Sequence, residues 1–504
     1  MNSVNTWRPW CLAVALAFLA ASGAAVAQKP GELVVSQTTD ILTLDATIDS
    51  SAVGINVFRN VFDQLTMIGA NGSVQPMLAT SWIASSEARV WTFTLRKNAK
   101  FHNGEPVTVD DVKWTFEKIM ADQKSANRTY LTQIDGIDKL DDDHIRFRLK
   151  APWAVFDRQV SLISIVPRKA YEEMGAQKFS TAAIGSGPFK VVRWVKDTGV
   201  ELEAFPDYWG GKPKVPKLTF KPVPSDNTRV VGITTGELDV VPLLPPPMVD
   251  SLASKPGVKI EKIVSNRVVY VGYNPAVAPM GNLKVRQAID HAIDRDAICN
   301  KLLRGMGKPI GQISSPVTFG YDPSIPATKY DPALSKKLLK EAGYNGEKIV
   351  FQFPTNRWAF ATEVAQAIAG YMQAVGVNVE LAPMEFSALF PLWIGNKLGA
   401  MYMFSLGITI LDADLVLNLQ YETGSSHGYW TTPEIDRLAQ AQRRENDPQK
   451  RKEIMAKIWR LSAENVAYSP IYNEVQAYGI RDRVKWKPRP DERLNFVDAE
   501  LIGK

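Results

Sequence analysis

Four histidines, His102, His144, His291 and His427, are the side chains best suited to move a proton near neutral pH or to ligate a metal, and their spacing serves neither purpose. None has a second histidine or a cysteine at metal-ligand spacing, and neither H-E-x-x-H nor a paired C-x-x-C occurs. His291 stands between Asp290 and Ala292 on a helical stripe, where partial exposure near a carboxylate accounts for it. Nucleophile patterns are missing too: there is no G-x-S-x-G, no S-x-x-K with a later K-T-G, and no phosphate-cradling G-x-x-x-x-G-K. Gly185-Ser186-Gly187-Pro188 comes nearest. A serine between glycines makes a tight turn, whereas a nucleophile also needs a base and an oxyanion hole. Asp141-Asp142-Asp143 reads as a solvated turn between strands rather than a cation site. With no catalytic set, no metal set and no cofactor motif, the chemistry left to the chain is non-covalent binding. Its 13 tryptophans, 15 tyrosines and 20 phenylalanines suit that chemistry, because amphipathic rings fill cores and also line clefts. Trp358, Trp393, Tyr402, Phe404, Tyr429 and Trp430, all in the second half, are the candidates to face a cleft.

The elements that must position such a cleft follow from periodicity. Glu32 to Ser36 reads as a strand, and the Thr/Asp-rich stretch from Thr38 to Asp49 as a loop. Trp91 to Leu95 and Ile145 to Leu149 alternate at the two-residue strand period. Thr108 and Asp111 form a capping box that starts a helix whose apolar face is Val112, Phe116, Ile119 and Met120. Helices are expected over Leu283 to Ile293, from Pro332 to a stop at Gly343, over Thr362 to Val375, and from Pro433 and Pro448 behind the caps Thr432 and Asp447. The order strand 349–353, helix, strand 377–381 predicts a three-layer α/β lobe with a parallel strand pair. Pro242 to Pro247, four prolines in six residues, is expected to be a rigid surface loop.

Residues 1–27 combine Arg8, the apolar run Cys11 to Ala20 and the small residues Ala25-Val26-Ala27, the pattern of a signal peptide cut before Gln28. The run is well short of the ~20 residues that span a bilayer core. Cys299 is then the one cysteine left of the two, so no intrachain disulfide is expected. A chain of 504 residues, 45% hydrophobic and 22% charged, is long enough to bury its own cores in about two to three units. The net charge of +6 comes from 59 basic and 53 acidic residues with both signs interspersed. The densest basic run, Arg481 to Arg489, is read as solvated surface, and no nucleic-acid partner is expected.

Specific motifs then bring a family into view. Ala79-Thr80-Ser81-Trp82, Trp91-Thr92-Phe93-Thr94-Leu95-Arg96, Phe101-His102-Asn103-Gly104-Glu105-Pro106 and Asp110-Asp111-Val112 follow one another in order. Together they resemble the signature of the bacterial extracellular solute-binding proteins of family 5, the peptide and nickel type. That pattern is A-x-S-W, Y-T-F-x-L-R, F-H-D-G-x-P and A-x-D-V, with Asn103 and Val109 as mild departures. The resemblance continues through Gly185 to Phe189, Asp207-Tyr208-Trp209, Gly236 to Asp239, Val285 to Ala288, Ala292 to Arg295, Leu338 to Gly343 and Asp412-Ala413-Asp414.

What the resemblance implies is an α/β, two-lobe periplasmic binding protein fold of type II, cluster C, with an extra subdomain in the first lobe. The expected division is 28–68 with 185–275 and 476–504 as lobe I, 69–184 as its extra subdomain, and 276–475 as lobe II, with crossings near 275 and 475. Such a protein is a periplasmic, monomeric receptor that needs no cofactor. It captures a peptide or peptide-like solute and hands it to a membrane-embedded ABC permease. A carboxylated non-peptide, a sugar conjugate or a nickel chelate is the alternative solute, and a secreted hydrolase acting through Ser186 the alternative class. By the same resemblance Arg357, just after the strand Phe351 to Phe353, stands where a dipeptide receptor grips the ligand carboxylate in a bidentate pair. Thr409 stands where such receptors carry the aspartate that meets the amino group, and Asp412 and Asp414 are offered in its stead. With Trp358, Phe404 and Leu406 these make up the expected ligand-binding set.

Overall fold

The computed structural model describes residues 31–502 except 356, 359, 426 and 427. The leader expected at residues 1–27 and His427 therefore lie outside the described residues. Eleven strands form one long sheet. In spatial order it runs Val379–Glu385, Ile349–Thr355, Met401–Gly407, Val258–Tyr273, Tyr468–Arg481, Val240–Val241, Glu32–Gln37, Lys217–Pro222, Gly199–Ala204 and Phe189–Val195, with Gly307–Pro309 paired onto Tyr468–Arg481. Two strands are far longer than the rest: Val258–Tyr273, of 16 residues, and Tyr468–Arg481, of 14. They pair with each other antiparallel, and each serves two neighbourhoods. Arg267 to Tyr273 pairs with Met401–Gly407 at one end of the sheet, while Gly479 and Ile480 pair with Val240–Val241 at the other. The parallel pair expected around the helix Ala361–Ala374 is present, Ile349 facing Val379 and Phe353 facing Pro383.

Apolar side chains cover both faces of this sheet. One cluster joins Val269, Val271, Ile289, Ile368, Phe351 and Leu252, and so runs along one face past the middle of the two long strands. The opposite face is covered near Glu32–Gln37 by Val57, Phe58, Phe220 and Phe496, and near Met401–Gly407 by Tyr270, Phe404, Trp459 and Tyr468. Burial of rings and branched chains on this scale is the main stabilising contribution to the fold.

A separate antiparallel sheet, Ala79–Ala84, Val90–Leu95, His144–Leu149 and Ile134–Lys139, holds its own core of Trp91, Phe93, Phe116, Phe147 and Phe156. Its helix Val109–Ala121 has the expected capping box, Thr108 Oγ1 accepting from the Asp111 amide while the Asp111 carboxylate accepts from the Thr108 amide. The helices Pro433–Arg444 and Pro448–Glu464 likewise start behind Thr432 and Asp447, whose side chains accept from the first-turn amides.

Two expectations change. The proline-rich stretch is not a surface loop: Pro242, Leu244 and Pro246 are buried, and Pro246 opens the helix Pro246–Ala253. The run Arg481 to Arg489 is only partly solvated. Arg483 grips the buried Asp239 carboxylate with two bonds of 2.7 Å, and Arg489 turns inward. Alternation of charge in the run conceals those two, because Lys485 and Lys487 between them are exposed.

The Gly185 to Pro188 turn shows why its residues are what they are. A Cβ on Gly185 would stand 1.9 Å from the Val61 carbonyl oxygen, and one on Gly187 would stand 2.6 Å from the Val61 carbonyl carbon. Only glycine lets the two backbones approach this closely. Ser186 is fully buried, and its Oγ accepts from the Asp63 amide at 3.4 Å. His102 braces the turn: its Nδ1 accepts from the Gly185 amide at 3.1 Å, which leaves Nε2–H to donate to the Gly187 carbonyl at 3.0 Å. That tautomer is neutral, and burial pushes its pKa down to about 4 from the ordinary 6.5. The unfolded chain therefore takes up the proton first as pH falls, so the contribution of His102 to stability is full above 6.5 and is lost as pH drops toward 4. Thermal unfolding followed from pH 7 to 4 should show this fall in melting temperature, and His102→Gln should flatten it while lowering stability at pH 7.

Candidate functional site

The two long strands lose register with each other between Val264 and Val268. Ser265, Asn266 and Arg267 therefore fall outside the ladder, and other groups must satisfy their backbone. Asn473 donates from Nδ2 to the carbonyls of Ser265, at 3.0 Å, and Arg267, at 2.7 Å. Ser315 Oγ donates to the Ser265 carbonyl at 2.7 Å. Asn266 links three segments. Its amide donates to the Pro490 carbonyl at 3.0 Å, its carbonyl accepts from the Ile408 amide, and its side chain donates to the Ile408 carbonyl at 3.0 Å. Arg267 extends the network: its guanidinium reaches Glu492 at 3.1 Å and Glu474 at 3.4 Å. Burial raises the Glu474 carboxyl, against the pull of Arg267.

Arg357 approaches this network from the strand Ile349–Thr355. It is exposed, with its guanidinium 4.7 Å above the ring of Phe386. Enclosure by the surrounding walls, then the neighbouring Arg267, holds its pKa below the ordinary arginine value, while Glu492 and Glu474 act in the opposite sense. Trp358 is half-buried beside it and packs on the sheet core.

After Met401–Gly407 the chain turns through residues 408–413, with Leu411 in the left-handed region at φ 48°. Asp412 and Asp414 are both buried and both fully engaged. Arg451 grips Asp412 through two bonds of 2.7 and 2.6 Å, and the Arg158 guanidinium stands 3.4 Å away. Asp414 accepts from Arg443 at 3.0 Å, from Trp153 Nε1 at 3.0 Å and from Gln442. Burial alone would raise Asp414; Arg443 and Arg451 reverse this and hold it below the usual carboxylate range. Trp153 and Arg158 belong to the segment that carries the four-stranded sheet, and Arg158 also donates to the carbonyls of Gly72 and Ile410. These contacts hold the 408–413 turn against that sheet.

A small cavity, of about 20 Å³, opens beside the turn. Its walls are Arg59 and Gln64 at the end of the helix Ala52–Val61, then Met67, Ile68 and Met77, then Thr409, and last Arg489, Asp491, Arg493 and Asn495 from the C-terminal segment. Thr409, just after the strand Met401–Gly407, and the C-terminal residues 489–495 thus line the same cavity. Glu492 sits between them with φ 63°, a strained backbone for a side-chain-bearing residue, of the kind that gathers at functional sites.

The residues named from sequence divide accordingly. Thr409 lines the cavity and Arg357 faces the charged network at the register break. Asp412 and Asp414 hold the turn in place, their oxygens taken by arginine and tryptophan. Phe404 is 4% exposed and stacked on Trp393, ring centroids 4.0 Å apart, and Tyr402 is buried against Tyr429, so these rings are core. Leu406 is half-buried on the same strand, opposite Val268. Arg59, Asn266, Arg267, Glu474, Arg489, Asp491 and Arg493 are not read from the sequence as site residues. The one available signal is the density of charge from Arg481 to Arg493 in a segment without helical or strand period.

A long sheet whose two longest strands lose register, with a cavity beside the 408–413 turn, has the two-lobe periplasmic binding-protein fold of type II. The fold is shared with HbpA2 from Haemophilus parasuis at a TM-score of 0.85, with 24% identity, 93% of this chain and 99% of that chain covered. The model of the family described as bacterial extracellular solute-binding proteins, family 5 Middle, matches residues 73–428, and the chain belongs to that family. Curated relatives include the dipeptide-binding protein of Escherichia coli (strain K12), 26% identical with 81% of this chain and 84% of that protein covered. The glutathione-binding protein GsiB of Salmonella choleraesuis (strain SC-B67) is 25% identical, with 98% of each chain covered. The chain is accordingly a binding protein and not an enzyme.

The Asp412 ion pair offers a direct energetic test. Arg451→Leu strips the buried carboxylate of its bidentate partner and should cost about 3–5 kcal/mol in urea unfolding. The double variant Asp412→Asn/Arg451→Leu should recover a large part of that loss, since no unpaired charge is left behind.

Proposed function

We propose that the chain is the periplasmic receptor of an ABC importer, capturing a peptide or peptide-like solute between its lobes and presenting it to the membrane permease. The observation that carries the reading is the cavity beside the 408–413 turn, walled by Thr409 on one side and by the C-terminal segment on the other. A ligand touching both walls favours the closed arrangement by the difference of its contacts in the two states, and closure is what a permease would recognise. The division we assign is 28–68 with 185–275 and 476–504 as lobe I, 69–184 as its subdomain and 276–475 as lobe II. The register break at Val264 to Val268 supports a first hinge earlier in the chain than 275.

Family membership and the peptide-binding names of the relatives support the solute class. The pattern of residues 1–27 supports export with cleavage before Gln28. Among the described residues no helix is long and apolar enough to cross a membrane. The receptor acts as a monomer without a nucleic-acid partner, a reading supported by the pairing of its basic side chains with carboxylates across the surface. For the solute itself, the exposed Arg357 guanidinium is available to a carboxylate, and we assign it that role, with Thr409 as a second contact. Asp412 and Asp414 are left to the turn.

Thermal-shift screening of residues 28–504 against dipeptides, tripeptides, opines, sugars and nickel chelates tests the assignment. Stabilisation by short peptides is expected, and stabilisation by a non-peptide alone would replace the peptide reading. With a peptide ligand in hand, Arg357→Ala should weaken binding by about 2 kcal/mol, read by calorimetry. Unchanged affinity would return Arg357 to the surface.

A further inference from the structure

The cavity beside Thr409 is unbalanced in charge. Three arginines, Arg59, Arg489 and Arg493, face it against a single carboxylate, Asp491. That carboxylate is already committed: Arg489 Nε and Nη2 donate to its two oxygens at 3.0 and 2.6 Å, and the backbone amide of Arg493 adds a third bond at 3.2 Å. Arg489 Nη2 also donates to the Ile68 carbonyl. Arg59 makes its bond to a neutral group, the Gln64 side-chain oxygen, at 2.6 Å. Arg493 is 9% exposed and lines the cavity, and no ion pair among the described residues includes it.

Arginines with a structural task in this chain look different. Arg286 donates to the carbonyls of Met280, Asn465 and Val466, Arg451 is matched to Asp412, and Arg483 to Asp239. Each of these three meets carboxylate or carbonyl acceptors of the protein. Arg59 and Arg493 share a confined space without that compensation. Burial and the nearby Arg493 push the Arg59 guanidinium down to about 9, with Asp491 the acidic group that resists. Two guanidiniums of like charge lining one small cavity repel each other, and an anion between the two forks turns that repulsion into attraction.

We propose that this cavity is an oxyanion site, in which Arg59 and Arg493 grip a carboxylate or phosphate group carried by the solute, so that the receptor selects acidic solutes over neutral and cationic ones. The inference rests on the capture reading above and narrows its ligand class. Thr409 and Asn495 supply further donors at the rim, while Met67, Ile68 and Met77 form an apolar wall against the short stem that would carry the charged group. No uncommitted carboxylate lines the cavity to meet an amino group. An acidic side chain, rather than a peptide amino terminus, therefore fits it. The oxyanion grip is separate from Arg357, so a solute bound by both carries two acidic groups.

The test uses the mature chain in two steps. Ligand-free protein is melted in chloride, citrate and inorganic phosphate at matched ionic strength, for wild type, Arg493→Gln, Arg493→Lys and Arg59→Gln. Wild type should be stabilised by several degrees in citrate or phosphate over chloride, the stronger of the two arms naming carboxylate or phosphate. Either glutamine variant should lose that gain, and Arg493→Lys should keep part of it. Calorimetry with Ala-Glu and Ala-Gln should then show about a tenfold preference for Ala-Glu that disappears in Arg493→Gln. An equal response of wild type to all three anions, or a full response in both glutamine variants, would overturn the oxyanion site. Equal binding of Ala-Glu and Ala-Gln would overturn it while leaving the capture reading in place; anion stabilisation lost in the variants, with neither dipeptide bound, would uphold the site and sink the peptide reading.

Discussion

Everything in this molecule hangs on the pairing of Val258–Tyr273 with Tyr468–Arg481. These strands join the two halves of the sheet, and a continuous ladder through both would make one stiff slab. The ladder instead slips between Val264 and Val268, and the slip is held by side chains rather than by strand partners. Asn473 replaces the missing ladder bonds to Ser265 and Arg267. Side-chain hydrogen bonds tolerate a change of angle that a strand ladder does not. The break is thus held mainly by side chains, with the Asn266 Oδ1 buried and left without a partner among the described residues; on the capture reading proposed above, it is where two lobes closing on a solute would bend.

Charge is managed differently on the two sides of that break. On the Thr409 side the carboxylates of Asp412 and Asp414 are neutralised by Arg451, Arg158 and Arg443, and the turn between them is fixed. Fixing it places Thr409, whose side chain bonds to none of the described residues, at the cavity wall. On the C-terminal side Arg489 and Asp491 cancel, Arg267 is matched by Glu492 and Glu474, and a surplus of guanidinium is left over the cavity. Desolvated charges cost more than exposed ones, so a surplus here weighs more than the +6 of the whole chain.

The elements of the fold were legible because their signals are local. A capping box at Thr108, proline at the first helical position after Thr432 and Asp447, and a strand-helix-strand run from Ile349 each depend on residues within a few positions of one another. The site was less legible because it depends on distant partners. Asp412 reads as a free acid until Arg451 and Arg158 are brought to it, and Phe404 as a cleft aromatic until Trp393 stacks on it. Arg493 shows the converse. Nothing in its neighbourhood distinguishes it from a surface arginine, and only the folded chain sets it beside Arg59, more than four hundred positions earlier in the sequence. Thr409 was found because a family pattern marked its place, although the pattern called for an aspartate there.

The C-terminal segment joins these observations into one device. Its Pro490 carbonyl accepts from Asn266 at the slip, and its Glu492 pairs with Arg267. Its Leu494 and Phe496 are bonded to Asn56 and Asn60 on the helix that carries Arg59. Asn266 in turn holds Ile408, next to Thr409. These bonds tie the slip, the turn that carries Thr409 and the helix that carries Arg59 into one set. On the capture reading proposed above, a solute touching Thr409 and residues 489–495 would bear on that same set, and its differential contacts would supply the free energy of closure.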